Sequence, residues 1–156
     1  MKLVEAKDIP LGKDVNTNDL EEIKRLHDLL VSNFKRFPTA LGLAAVQLGI
    51  PAKVCVVKHQ GAAVCLINAF YQGISTFGYN DEGCLSLPDE IWRVKRQDKI
   101  WLKGYIYVPQ SNQVMSVEKY FDKDTVHFNG AIADVIQHEI DHQDQVLISD
   151  IGERLK

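Results

Sequence analysis

Apolar side chains recur at helical intervals after residue 19: Leu20, Ile23, Leu26, Leu30 and Phe34 fall on one face, with charged residues between them. Asn18 followed three places later by Glu21 reads as a capping box, so the spacing predicts an amphipathic helix from about Asp19 to Arg36, stopping before Pro38. "TALGLAAVQLGIP" then carries small residues through a turn that ends at Pro51. The pattern changes to short runs rich in β-branched and aromatic residues: "KVCVV", "AVCLIN", "ISTFGY", "KIWLKGYIYV", "VMSVEKYF" and "TVHF". Helical spacing returns in "AIADVIQHEIDHQ", where Ile132, Val135, Ile136 and Ile140 share one broad side and Asn129 and Gly130 are placed to open the helix. The order helix, strands, helix predicts an α+β fold. Its strand-rich middle of antiparallel or mixed sheets packs around the C-terminal helix, with the amphipathic helix at the N-terminal end. No repeat or linker-like stretch divides the chain, and a length of 156 residues fits one domain, 1–156.

Composition narrows the class without naming an activity. Hydrophobic residues at 46% and charged residues at 25% are ordinary globular values, which exclude disorder, collagen and coiled coil. A net charge of -3 and a pI near 5.9 provide no basic field for nucleic acid or an anionic membrane. No apolar run near the N-terminus has the length of a signal core or a membrane span, so a soluble cytoplasmic protein is expected. The three cysteines are too few and too irregular for a disulfide framework. Cys55 and Cys65 sit in apolar runs as small hydrophobes, whereas Cys84 lies among polar residues and glycine.

The chemistry concentrates in "HEIDH", 138 to 142. On an α-helix, positions four apart differ by about 40° around the axis, so His138 and His142 can reach one ion from the same side. In a zincin-type helix the glutamate between two such histidines serves as general base without binding the metal. The competing reading is that both histidines are ordinary polar surface residues. A catalytic site built on two histidines needs a third protein ligand and an open position for water. Cys84, after Gly83 in "DEGCLSLP", meets that need as a thiolate; the alternative is a third buried thiol.

Three stretches together resemble the peptide deformylases: "ALGLAAVQ" at 40 to 47, "EGCLS" at 82 to 86 and "QHEIDH" at 137 to 142, in the order and spacing of that family. The resemblance covers most of the chain and implies that family's α+β fold. It implies a metallohydrolase that removes the N-formyl group from formylmethionine at the start of nascent polypeptides and releases formate. By the same resemblance Cys84, His138 and His142 match the metal ligands and Glu139 the general acid/base. Gln47 and the backbone N–H of Leu85 match the donors to the formyl oxygen, and Leu41 and Gly42 match residues lining the substrate. One divalent ion is implied, Fe(II) foremost, with Zn(II), Ni(II) or Co(II) as substitutes. The partners implied are N-formylmethionyl peptides, met by a monomer without nucleic acid or membrane. Glu82 is expected to steady the loop, and Gln137 and Asp141 to orient the ligands.

The sequence also departs from the family. Ala40 replaces the usual first glycine of the first stretch, so the loop must adjust if that residue requires positive φ. Gln145 replaces a glycine that commonly follows the second histidine by three, which is expected to alter the helix end. Asp134, one turn before His138, stands where many members carry an apolar residue lining the methionine pocket. Only 14 residues follow His142, so docking on the ribosome through a long C-terminal helix is not expected. Two other readings keep HExxH: a zinc endopeptidase, which Cys84 disfavours, and a non-catalytic reader of formylated N-termini, which an intact Glu139 disfavours.

Overall fold

"VCVV" at 54 to 57 is apolar at every position, as a strand covered on both faces must be. In the computed structural model, which describes residues 1–74, 76–122, 126–127 and 130–156, it forms the heart of such a strand. Val54 and Val56 pack with Ile23, Leu26, Leu30 and Phe34 of helix α1 (Leu20–Phe34). Before it lie strand β1 (Gly42–Ala44) and a 3-10 turn (Ala45–Leu48); the strand itself is β2 (Val54–His59). Then come β3 (Ala62–Gly73), β4 (Phe77–Cys84), β5 (Leu87–Gln97), β6 (Lys99–Val108) and β7 (Gln113–Asp122). A short hairpin of β8 (Val126–His127) and β9 (Gly130–Ala131) leads into helix α2 (Ile132–Gln143), followed by α3 (Ile148–Ile151) and β10 (Gly152–Arg154).

Antiparallel pairing builds a five-stranded sheet in the order β1-β2-β3-β6-β7 and a three-stranded sheet in the order β10-β5-β4. The larger sheet lies between the two long helices. Cys55, Val57, Leu66, Ile100 and Leu102 pack with Ile132, Val135, Ile136 and Ile140 of α2, on the face opposite α1. The expected α+β architecture around a C-terminal helix is therefore present. Cys55 and Cys65 are buried, as small hydrophobes in strands should be, and burial pushes both thiols up, Cys65 to about 12. Among the described residues no helix is long and apolar enough to cross a membrane.

Several expected boundaries move, each for a local reason. Asp19, not Asn18, caps α1: its side chain accepts from the Glu22 N–H at 3.1 Å, while the Asn18 N–H is taken by the Asn16 side chain. The helix ends at Phe34 instead of Arg36. The small-residue stretch expected as a turn is a strand and a 3-10 turn. β5 and β10 were not expected, because "LPDEIWRVKRQ" is charged along one face and "GER" is short. In "ISTFGY" the strand begins only at Phe77. Gly130 pairs in β9, so α2 opens at Ile132; Asn129, like Thr125 and Phe128 of "TVHF", lies outside the described residues.

The two departures from the family glycines are met differently. Ala40 is not in the left-handed region, so it carries no such backbone strain. Gln145 is left-handed at φ 62°, where glycine is favoured. Its N–H reaches the His142 carbonyl, the Val146 N–H reaches that of Asp141, and its side chain donates to the Ile9 carbonyl at 3.0 Å. These are the two bonds of a Schellman closure, so the helix end is preserved by a strained glutamine.

β3 carries one extra residue. Ile67 faces Tyr105 but Phe70 faces Lys103, and Asn68, at φ 49°, ties the bulge to the Val15 N–H and carbonyl at 2.9 Å each. Gly104 makes room: a Cβ there would lie 2.7 Å from the Ala69 Cα. Since backbone must give way, Gly104→Ala should destabilise the fold by about 1–3 kcal/mol, as overpacking does. Denaturant unfolding checks this, and an unchanged midpoint would mean that the bulge yields freely.

Candidate metal centre

Cys84 is the last residue of β4, where the hairpin turns into β5 with Cys84 opposite Leu87. Helix α2 faces it. The ligand atoms of Cys84, His138 and His142 lie within 4.8 Å of one another, and Cys84 Sγ is 3.5 Å from His142 Nε2. A tetrahedral ion with metal–sulfur near 2.3 Å and metal–nitrogen near 2.0–2.1 Å would separate its sulfur and nitrogen ligands by roughly 3.5 Å. The thiol and two imidazoles thus fit a divalent ion, and the donors suit Fe, Co, Ni or Zn.

What surrounds the histidines sets their orientation. Glu82 Oε1 lies 2.8 Å from His138 Nδ1, which leaves Nε2 for the site. Glu82 is gripped by Arg96 through Nε at 2.8 Å and Nη2 at 2.7 Å, and by Asn80 Nδ2 at 3.0 Å. Arg96 Nη1 also donates to Asp141 Oδ2 at 2.7 Å, and the Tyr71 hydroxyl donates to Asp141 Oδ1 at 2.6 Å. Burial would push the Glu82 carboxyl up, but Arg96 and His138 outweigh it and bring it down to about 2. Burial likewise opposes charge on His138, yet its contacts with Cys84 and Glu82 prevail and raise it to about 10. An ion on that nitrogen takes the place of the proton. Burial lowers His142, whose Nδ1 has no acceptor among the described residues.

Glu139 sits in the same place. Burial lifts its carboxyl to about 7, its Oε1 has no hydrogen bond among the described residues, and it lies 4.0 Å from His142 Nε2. A carboxyl so tuned can take up and release a proton near neutral pH. Gln47 is buried in the 3-10 turn; its Oε1 accepts from the Ala44 N–H at 2.9 Å, and its Nε2 reaches Ser86 Oγ at 3.1 Å and Cys84 Sγ at 3.9 Å. That aims the amide at the site.

A cavity of about 640 Å³ opens over these groups. Every residue expected at the site borders it except His142, which is buried behind: Leu41, Gly42, Gln47, Cys84, Leu85, Asp134, His138 and Glu139. Gln137 differs from expectation, since its amide clasps the backbone of Gln97 at 2.9 and 3.1 Å and so pins α2 to β5 without touching a ligand. Asp141 reaches His138 by contact through Arg96 and Glu82. Arg96, Tyr71 and Ser86 were not anticipated. For Arg96 a signal existed: in "WRVKR" it shares the phase of Val94, which is fully buried.

A family profile described as polypeptide deformylase matches residues 11–156. The peptide deformylase of Agrobacterium fabrum is 33% identical over 144 residues, covering 86% of this chain and 75% of the relative. That of Dictyoglomus thermophilum is 33% identical over 138 residues, covering 87% and 82%. The crystal structure of peptide deformylase from Thermotoga maritima superposes with a TM-score of 0.78 at 26% identity, over 96% of this chain and 95% of that one.

Gly42 has a physical requirement independent of ancestry, since a Cβ there would meet Glu139 Oε2 at 2.5 Å. The obstacle is the end of a side chain, so Gly42→Ala should fold but push the Glu139 carboxyl aside. We expect kcat to fall at least tenfold with thermal stability within a few degrees of wild type. Retention of full kcat would show that the carboxyl has another place to sit.

Proposed function

The chain belongs to the polypeptide deformylase family, and on that premise we propose that its residues hydrolyse the formamide bond of N-formylmethionyl peptides. The products are formate and a free N-terminal amine. The observation that carries this reading is the convergence of Cys84, His138 and His142 within 4.8 Å beside a buried Glu139 lifted to about 7. When bound by the three, a divalent ion supplies Lewis acidity, which lowers the pKa of water and polarises a carbonyl. From the family we take Fe(II) as the resident ion.

Glu139 accepts the proton of the attacking water at its carboxylate and hands it to the departing amine nitrogen. Gln47 Nε2 and the Leu85 N–H donate to the formyl oxygen as negative charge builds on it. Each such donor contributes about 2.7–4 kcal/mol in comparable oxyanion sites. Gly42 leaves space for the peptide backbone, and Leu41 with Val135 flanks the first side chain. We propose further that 1–156 works as one catalytic domain, a monomer in the cytoplasm. The endopeptidase and the inert reader are not favoured, because the family's members are named as deformylases and Glu139 is present.

The test is formate release from formyl-Met-Ala-Ser by protein loaded with Fe(II) without oxygen. Absence of formate with the ion confirmed bound would defeat the reading. Glu139→Gln should keep the metal while kcat drops by about 10²–10⁴; a near-native kcat would remove its proton-transfer role. Asp134 borders the cavity where an apolar side chain would favour methionine. Asp134→Ile should therefore raise the formyl-Met to formyl-Ala ratio of kcat/KM by roughly 10-fold or more, as one apolar contact does. An unchanged ratio would place Asp134 outside the specificity pocket.

A further inference from the structure

The Tyr71 hydroxyl stands at the far end of a continuous chain of short contacts that ends on a histidine of the metal centre. Tyr71 Oη donates to Asp141 Oδ1 at 2.6 Å, Arg96 Nη1 to Asp141 Oδ2 at 2.7 Å, and Arg96 Nη2 to Glu82 Oε1 at 2.7 Å. Glu82 Oε1 is in turn 2.8 Å from His138 Nδ1. We propose that Tyr71 is a positioning residue, whose hydroxyl fixes how Arg96 is shared between Asp141 and Glu82 and thereby sets the orientation of His138 toward the ion.

The local fold is arranged to bring this hydroxyl in. Because of the bulge between Ile67 and Phe70, Tyr71 faces Leu102 and packs against the core that holds α2. With an unbroken register, position 71 would face residue 101 and point to the other side of the sheet. The carboxylate it meets is on α2 between the two histidines. Arg96 is 3% exposed and Glu82 8%, so neither can replace a lost partner with bulk water. The planar guanidinium puts two donors on Glu82 and one on Asp141, so any rotation that follows Asp141 tilts the Glu82 fork. Glu82 is the only partner found for His138 Nδ1 among the described residues, and the imidazole must follow. Partners of metal-binding histidines typically change metal affinity 10–100-fold. Acting through Asp141, Arg96 and Glu82, Tyr71 should do less.

This inference rests on the metal-centre reading, and the experiment separates the two. Wild type, Tyr71→Phe, Asp141→Asn and the double variant are loaded with Co(II). Each is followed by the visible thiolate and ligand-field bands, by the rate of Co(II) loss to a chelator, and by thermal unfolding. Tyr120→Phe, an exposed tyrosine on β7, is the control. We expect Tyr71→Phe to lose Co(II) about three- to tenfold faster with shifted bands, and the double variant to be no faster than Asp141→Asn, since both act through one chain. A lower unfolding temperature with unchanged bands and loss rate would overturn the proposal and leave Tyr71 as a packing residue. Additive rates would overturn it too. Failure of wild type to bind Co(II) would sink the metal centre itself.

Discussion

One guanidinium holds the functional half of this molecule together. Arg96 is buried between a carboxylate from β4 and another from α2, and it joins the small sheet by charge to the helix that carries His138 and His142. A cation in so dry a place would be very unfavourable alone, and so would either carboxylate. Together they satisfy one another, with Asn80 and Tyr71 completing the shells. The arrangement favours one relative placement of β4 and α2 over its neighbours, because any slip leaves a buried charge uncompensated. The geometry of Cys84 opposite the two histidines follows from that placement.

The same arrangement divides the electrostatic labour. Around His138 the field is strongly structured, with Glu82 held ionised by Arg96. A short distance away burial, aided by the charges of Glu82 and Asp141, outweighs His138 and Arg96 and lifts Glu139 toward neutrality. Two glutamates in one site are thus shifted in opposite directions, which suits the proposed division between an orienting anion and a proton-exchanging carboxyl. Gly42 preserves the second condition by leaving the Glu139 carboxyl unobstructed.

Legibility in the sequence followed the range of the interactions involved. Spacing within one helix brought His138 and His142 to one side, because a helix converts sequence separation directly into geometry. The run "KVCVV" marked a strand, and the contrast between Cys84 and the two buried thiols was readable from their neighbours. β5 was hidden because its exposed positions carry charge, and Arg96, an Arg at a core position, looks like surface until Glu82 and Asp141 are brought to it. The cap moved from Asn18 to Asp19 because two adjacent residues can both serve and the Asn16 side chain engages the Asn18 N–H first. Gln145 shows the limit of reading departures: a glutamine takes the left-handed conformation and the helix closes as it would with glycine.

The ligand set spans two parts of the chain, with Cys84 and His142 separated by 58 positions. During synthesis Cys84 leaves the ribosome well before the histidines, and no pair of ligands from one local segment completes the triad. With the proposed ligand set, ion capture would require the β4–β5 hairpin and α2 already docked. Once captured, an ion closes a long loop between hairpin and helix, and its affinity adds to the free energy of the folded state. Loading with metal is then as much a step in maturation as a condition for turnover, and the half-life of the loaded protein should track the exchange rate of its ion.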